Sequence, residues 1–150
     1  MKDLFVYTHL DCLLKDNGNN HPERKERLET IIKSISEIKN PHIEKKNAPM
    51  VNLNNIYLVH PERYIKKLLS KIPDRGLVTI EEEPYADTFL CPNSKNAILR
   101  SCGSGIAAAD DLINNKINKI FCAVRPPGHH AETIKSLGFC FINNVAVCAR

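Results

Sequence analysis

Four absences narrow the reading before any motif is considered. No apolar stretch approaches the length of a membrane span. The opening "MKDLFVYTHL" lacks the apolar core and small-residue cleavage site of a secretory leader. Neither a spanning helix nor a signal peptide is expected. There is no basic block either: the 21 lysines and arginines are spread along the chain and the net charge is only +4. Neither nucleic acid nor a membrane surface is therefore expected as a partner. Finally, no C-x-x-C pair occurs among Cys12, Cys91, Cys102, Cys122, Cys140 and Cys148, which argues against a zinc ribbon or a thioredoxin-like motif. Several of these cysteines sit in apolar stretches and read as buried thiols in a reducing, cytoplasmic setting.

What is present suffices for one compact domain: 150 residues, 43% of them apolar. "LFVYTH" (residues 4–9) reads as a strand, and "DCLLKDNGNN" as a loop. His21-Pro22 is expected to open a helix, with Pro22 in its first turn and Glu23 and Glu26 at its positive end. Leu28, Ile31, Ile32, Ile35 and Ile38 form its apolar stripe. "HPER" occurs at 21–24 and again at 60–63, the second time before the stripe Tyr64, Ile65, Leu68, Leu69. The sequences after the two copies diverge, so they read as two helix starts rather than an internal repeat. Residues 73–92 read as loop, with 81–83 a solvated acidic run. A long helix follows Pro92, with Ala97, Ile98, Gly105, Ala108, Ala109 and Leu112 on one face. "KIFCAV" (119–124) reads as a strand buried on both faces of a parallel sheet. "NNVAVCAR" reads as the start of another helix. The order implies an α/β domain with a mainly parallel sheet flanked by helices, and sites in such sheets gather at the carboxyl ends of strands.

Three stretches carry candidate chemistry. Gly103, Gly105 and Ala108 satisfy the dinucleotide fingerprint G-x-G-x-x-A. No strand precedes them directly, and the next strand ends at Arg125 where an acid should bind the ribose. Close helix packing is the plainer explanation, with a dinucleotide-binding oxidoreductase as the weaker alternative. In "AVRPPGHHAE", His129 and His130 follow the expected strand end, on a backbone stiffened by Pro126 and Pro127 and freed to turn at Gly128. A solvent-facing loop is the plain alternative. Neighbouring residues of an extended chain point opposite ways, so the two rings are expected to diverge and not to share one metal. As catalytic imidazoles of one site, one would serve as general base and the other as proton donor or charge stabiliser. "GFCFINN" is a glycine turn, two aromatics and a helix cap. It is either core packing or a place where Phe139 walls a substrate channel.

"VRPPGHHAE" followed by "GFCFINNVAV" resembles the histone deacetylase superfamily, in its class II and bacterial deacetylase-like branch. "HPERKERLE", "VHPERYI" and "CPNSKNAILRSCGSGIAAAD" add to the likeness, which spans nearly the whole chain. The resemblance implies a partial arginase/deacetylase-type fold, with residues 1–150 the N-terminal part of the domain and the C-terminal part absent. It implies zinc-dependent hydrolysis of an N-acetyl amide on lysine or a polyamine. Residue by residue, His130 would be the general base and His129 its charge-stabilising, proton-transferring partner. The Gly138 carbonyl would accept from the substrate amide, Phe139 would wall the acyl-lysine tunnel, and Cys140 would pack behind it. Arg27 would lie near the inner end of the pocket.

The sequence departs from the family in two ways. Leu90 stands before Cys91-Pro92, where some members carry an aspartate that grips substrate. The family's Asp-x-His zinc pair, its further aspartate and its tyrosine all come after the position of Arg150, and Asp110 and Asp111 have no histidine at ligand spacing. Zinc is thus the family's cofactor, but none is expected to bind this chain alone, and the isolated chain is expected to be inactive and prone to self-association. The alternative is a metal-free, vestigial or binding protein that keeps the pocket shape.

Overall fold

The computed structural model describes residues 2–80 and 86–150. The acidic run at 81–83 lies outside the described residues. Strand β1 (Leu4–Thr8) is followed by α1 (Asp11–Leu14), α2 (Lys25–Glu37), β2 (Ile43–Asn47), α3 (Leu53–Tyr57) and α4 (Glu62–Ser70). Then come β3 (Val78–Thr79), β4 (Phe89–Leu90), α5 (Ser94–Ile113), β5 (Ile120–Cys122) and α6 (Asn144–Ala149).

The main sheet is wholly parallel, in the order β2-β1-β5. The strand buried on both faces is the central β1, whose Phe5, Val6 and Tyr7 are all buried. The stretch at 119–124 does not behave as expected. Only Ile120–Cys122 pairs, it lies at the sheet edge among the described residues, and Phe121 is 44% exposed. Residues 11–14, read as loop, form α1. Residues 73–92 are not all loop, because Val78–Thr79 and Phe89–Leu90 pair as a short antiparallel ribbon.

Helix α2 begins at Lys25, not at Pro22. Arg24 is still extended, at φ −134° and ψ 155°. His21 and Glu23 therefore precede the helix, and both are buried. Helix α5 runs as expected and buries Ala97, Ile98 and Ala108 of its expected face, but the buried surface extends to Ser101, Cys102, Ser104 and Asp111, whereas Leu112 is 41% exposed. Asp111 is drawn inward by partners. It accepts from Tyr7 Oη on β1 (2.7 Å), Lys46 Nζ on β2 (3.0 Å) and Lys116 Nζ (2.9 Å). The Tyr7 hydrogen bond, together with the two lysines, holds its carboxyl down at about 2 against the opposing effect of burial.

Gly103 and Gly105 lie in the interior of α5, not in a strand-to-helix turn, so they cannot cradle a phosphate as the fingerprint requires. A Cβ on Gly103 would stand 2.1 Å from the Pro49 carbonyl oxygen, where Val51 N–H donates to Leu99 O (3.1 Å). The glycine lets the chain after β2 lie against the helix.

Candidate functional site

The histidine loop leaves the carboxyl end of β5 and is fastened before it reaches the imidazoles. Ser101 Oγ donates to Pro126 O (2.7 Å), and Asn144 Nδ2 donates to Ser101 Oγ (2.9 Å). Gly128 presses on the Asn144 side chain so closely that a Cβ would come within 2.3 Å of its Cγ. The backbone bends at residues 129–130 rather than staying extended. The two rings therefore do not diverge. Their centroids lie 4.2 Å apart at a 49° tilt, because the alternation of neighbouring side chains holds only in extended chain. Both histidines are exposed.

Opposite them, residues 137–140 form a tight turn, with Leu137 and Cys140 exchanging backbone hydrogen bonds of 3.1 and 3.0 Å. Both central residues have positive φ, Gly138 at 55° and Phe139 at 68°, as a hairpin turn of the I′ type requires. Gly138 cannot carry a side chain here, since a Cβ would sit 2.9 Å from Cδ2 of His130. For a phenylalanine, positive φ is a strained conformation that needs support from its surroundings. The Phe139 N–H donates to the buried Thr88 Oγ1 (3.2 Å), and its ring meets His21 edge-on at 4.8 Å. Cys140 is fully buried behind the turn, where its thiol donates to Gly138 O (3.4 Å) and accepts from His130 N–H (3.4 Å). Burial pushes that thiol's pKa up, so Cys140 is packing and not a nucleophile.

A cavity of about 410 Å³ opens between these elements, lined among others by Arg27, Leu28, His129, His130, Gly138 and Phe139. Five of the six site residues expected from the sequence therefore meet around one space, with Cys140 in support. The cavity lining also includes a salt bridge not anticipated from the sequence, between Arg125 and Glu23. Arg125 Nε and Nη2 donate to the two carboxylate oxygens of Glu23 (2.6 and 2.9 Å), and Nη1 donates to Cys12 O (3.0 Å) and Lys15 O (2.5 Å). Lys15, also buried, bonds Asn17 and lies 3.8 Å from Glu23. Burial lowers the Lys15 pKa to about 8, partly offset by Glu23. Burial would raise the Glu23 carboxyl, but its hydrogen bonds to Arg125 and the charges of Arg125 and Lys15 outweigh that and hold it below its ordinary range. Sequence patterning gave no sign of Thr88. His21 and Glu23 carried one signal, the duplicated "HPER".

Leu90 is fully buried in the core on β4, so it presents no polar group to a substrate. Among the described residues, no three His, Cys, Asp or Glu side chains are grouped so that they could hold a metal ion. No helix there is long and apolar enough to cross a membrane.

The geometry can be set beside known proteins. The chain is 31% identical to Type-2 histone deacetylase 2 of Dictyostelium discoideum, over 99% of this chain and 10% of that protein. It is 27% identical to a probable deacetylase of Archaeoglobus fulgidus, over 97% of this chain and 40% of the relative. Its fold superimposes on the crystal structure of the HDA15 HD domain with a TM-score of 0.86 at 24% identity, over 99% of this chain and 43% of that one. The chain thus spans less than half the length of each. Residues 21–150, which hold every element from α2 onward, match the histone deacetylase domain, and the chain belongs to that family.

Proposed function

We propose that this chain supplies the proton-transfer and tunnel-wall part of an amidohydrolase that cleaves N-acetyl groups from lysine or a polyamine. One observation carries the reading: two adjacent imidazoles, 4.2 Å apart, line a single cavity together with Gly138 and Phe139. In this reading His130, beside the turn, takes a proton from the attacking water. His129 stabilises the resulting charge and relays that same proton from His130 to the leaving amine. A positioned general base contributes about 10²–10⁴-fold. Phe139 flanks the aliphatic stem of the acyl-lysine, and Arg27 faces the inner cavity.

Zinc, the family's cofactor, would supply Lewis-acid chemistry at the amide carbonyl. The described residues do not fit a zinc site, and no step in this reading runs through one. That mismatch also favours a second reading, in which the chain binds an acetylated amine without turning it over.

The test is hydrolysis of an acetyl-lysine peptide and an acetylpolyamine. It is run with the chain alone, and with the chain co-expressed with a polypeptide covering the rest of a relative's domain. The chain alone should give no turnover. In the complemented pair, His130→Ala should lower kcat by about 10²–10⁴-fold with little change in KM. Turnover that survives His130→Ala unchanged would overturn the assignment. Saturable binding without turnover in either form would favour the second reading.

A further inference from the structure

The second "HPER" copy contributes nothing to the cavity, yet its histidine is completely buried. His60 sits in the turn between α3 and α4. Its Nε2 faces the Asn143 N–H, from which it accepts at 2.9 Å, and its Nδ1 lies 3.0 Å from Thr133 O. An N–H donor at one nitrogen and a carbonyl at the other fix the tautomer, with the proton on Nδ1 and the lone pair on Nε2. One ring thus joins the two ends of the segment 133–143, which contains the Gly138–Phe139 turn.

The tie continues to the catalytic side. Asn143 Nδ2 donates to Ala131 O (3.0 Å), the residue directly after His130, while its Oδ1 accepts from Ala146 N–H (3.0 Å) at the start of α6. One turn along α4, Tyr64 stacks on His60 with centroids 5.5 Å apart. Its hydroxyl donates to Phe141 O (2.8 Å) and bonds Ser136 Oγ (2.7 Å). Five positions, 131, 133, 136, 141 and 143, are therefore gripped by two rings from one helix start and by Asn143. They begin directly after His130 and bracket Phe139, and neither ring lines the cavity.

We infer that His60 is a positioning residue, held as the Nδ1–H tautomer, which with Tyr64 sets the imidazole pair against the Phe139 turn without touching either. Burial also pushes the pKa of His60 down, in keeping with a ring that must stay neutral to accept from Asn143.

The relevance of this clamp to catalysis rests on the proposed reading of His130, but its geometry can be tested without turnover. In nitrogen-15 spectra of the full chain, His60 should show a protonated Nδ1 and an unprotonated Nε2. The opposite tautomer would overturn the proposal. Tyr64→Phe keeps the ring and removes only the hydroxyl, so it should fold. It should shift the ring signals of His129, His130 and Phe139, and His60→Gln should shift them further. Leu68→Ala, a core truncation on the same helix, is the control for general loosening. If it moves the same signals as much as His60→Gln does, His60 is merely structural and the proposal falls. Should His60→Gln fail to fold, Tyr64→Phe against Leu68→Ala decides alone. Loss of dependence on His130 in the complemented assay would remove the catalytic reading and leave the clamp standing.

Discussion

His21–Glu23 and His60–Glu62 begin the same tetrapeptide, and the protein puts them to different uses. Each histidine bridges an N–H donor and a carbonyl, but through opposite nitrogens. His21 accepts from Glu23 N–H at Nδ1 (3.0 Å) and donates from Nε2 to Asp87 O (2.9 Å). His60 accepts at Nε2 and donates from Nδ1. The glutamates differ more. Glu23 is buried and grips Arg125 with both oxygens. Glu62 is the exposed first residue of α4 and pairs with Lys66 at 2.8 Å. The tetrapeptide marks a helix start in the second copy because nothing draws its glutamate inward. In the first copy a buried guanidinium does so, and the helix begins only at Lys25. A tertiary partner overrides local preference, which is a weak prior.

The sharpest way to break this comparison is to remove the charge from each glutamate. Glu23→Gln keeps one acceptor oxygen for Arg125 but turns the other into an NH2 that opposes a guanidinium N–H, and it leaves both Arg125 and Lys15 buried without their anion. Breaking one side of a buried pair costs roughly 3–5 kcal/mol, a large part of the roughly 5–15 kcal/mol that a domain has. The urea midpoint should fall steeply, and the Lys15 pKa, already about 8, should fall further. A variant that unfolds at the wild-type midpoint would mean that water reaches Arg125 and the pair is not truly desolvated.

The same contrast separates what could be read from sequence from what could not. Helices α2, α4 and α5 were legible because their apolar residues recur at helical spacing. So was the placing of the histidine loop at a strand's carboxyl end. Strand β2 was not: "IEKKN" has little strand character, and it forms because β1 offers a ladder and because Lys46 reaches over the Phe5 ring (3.7 Å) to Asp111. The facing of His129 and His130 depended on a backbone bend, which the extended-chain rule could not supply. The Thr88 support for Phe139 joins positions 51 residues apart, a distance no local pattern spans. The first "HPER" misled because its later partner, Arg125, lies 102 residues on.

The two copies should also fail at different acidities, a smaller effect that sharpens the comparison. The folded pKa of Glu23 lies below the ordinary 4.5. Its contribution to stability is complete above that value and is lost as pH falls through the lowered one. The folded pKa of His60 lies below the ordinary 6.5. Below 6.5 the unfolded chain takes up a proton that the folded ring refuses, so stability declines from there until the folded value is passed. Urea unfolding across pH should show a first decline that is absent in His60→Gln and a second, more acid one that is absent in Glu23→Gln. If the first decline persists in His60→Gln, another group carries it.

The smallest effect expected is that of Glu62→Ala. Glu62 and Lys66 lie one helical turn apart with side chains 55% and 72% exposed, so water and salt screen their attraction and holding two long side chains together costs rotamer entropy. The acid also sits at the positive end of α4, a modest and equally screened gain. Neither leaves a buried group unpaired when it is lost. The urea midpoint of Glu62→Ala should be indistinguishable from wild type in moderate salt, and slightly lower only when salt is removed. The signals of His129, His130 and Phe139 should not move, since His60 and Tyr64 hold that segment without help from Glu62. A loss approaching that of Glu23→Gln would mean that the place of the glutamate in the tetrapeptide matters more than its burial. The two copies would then have to be treated as one device used twice.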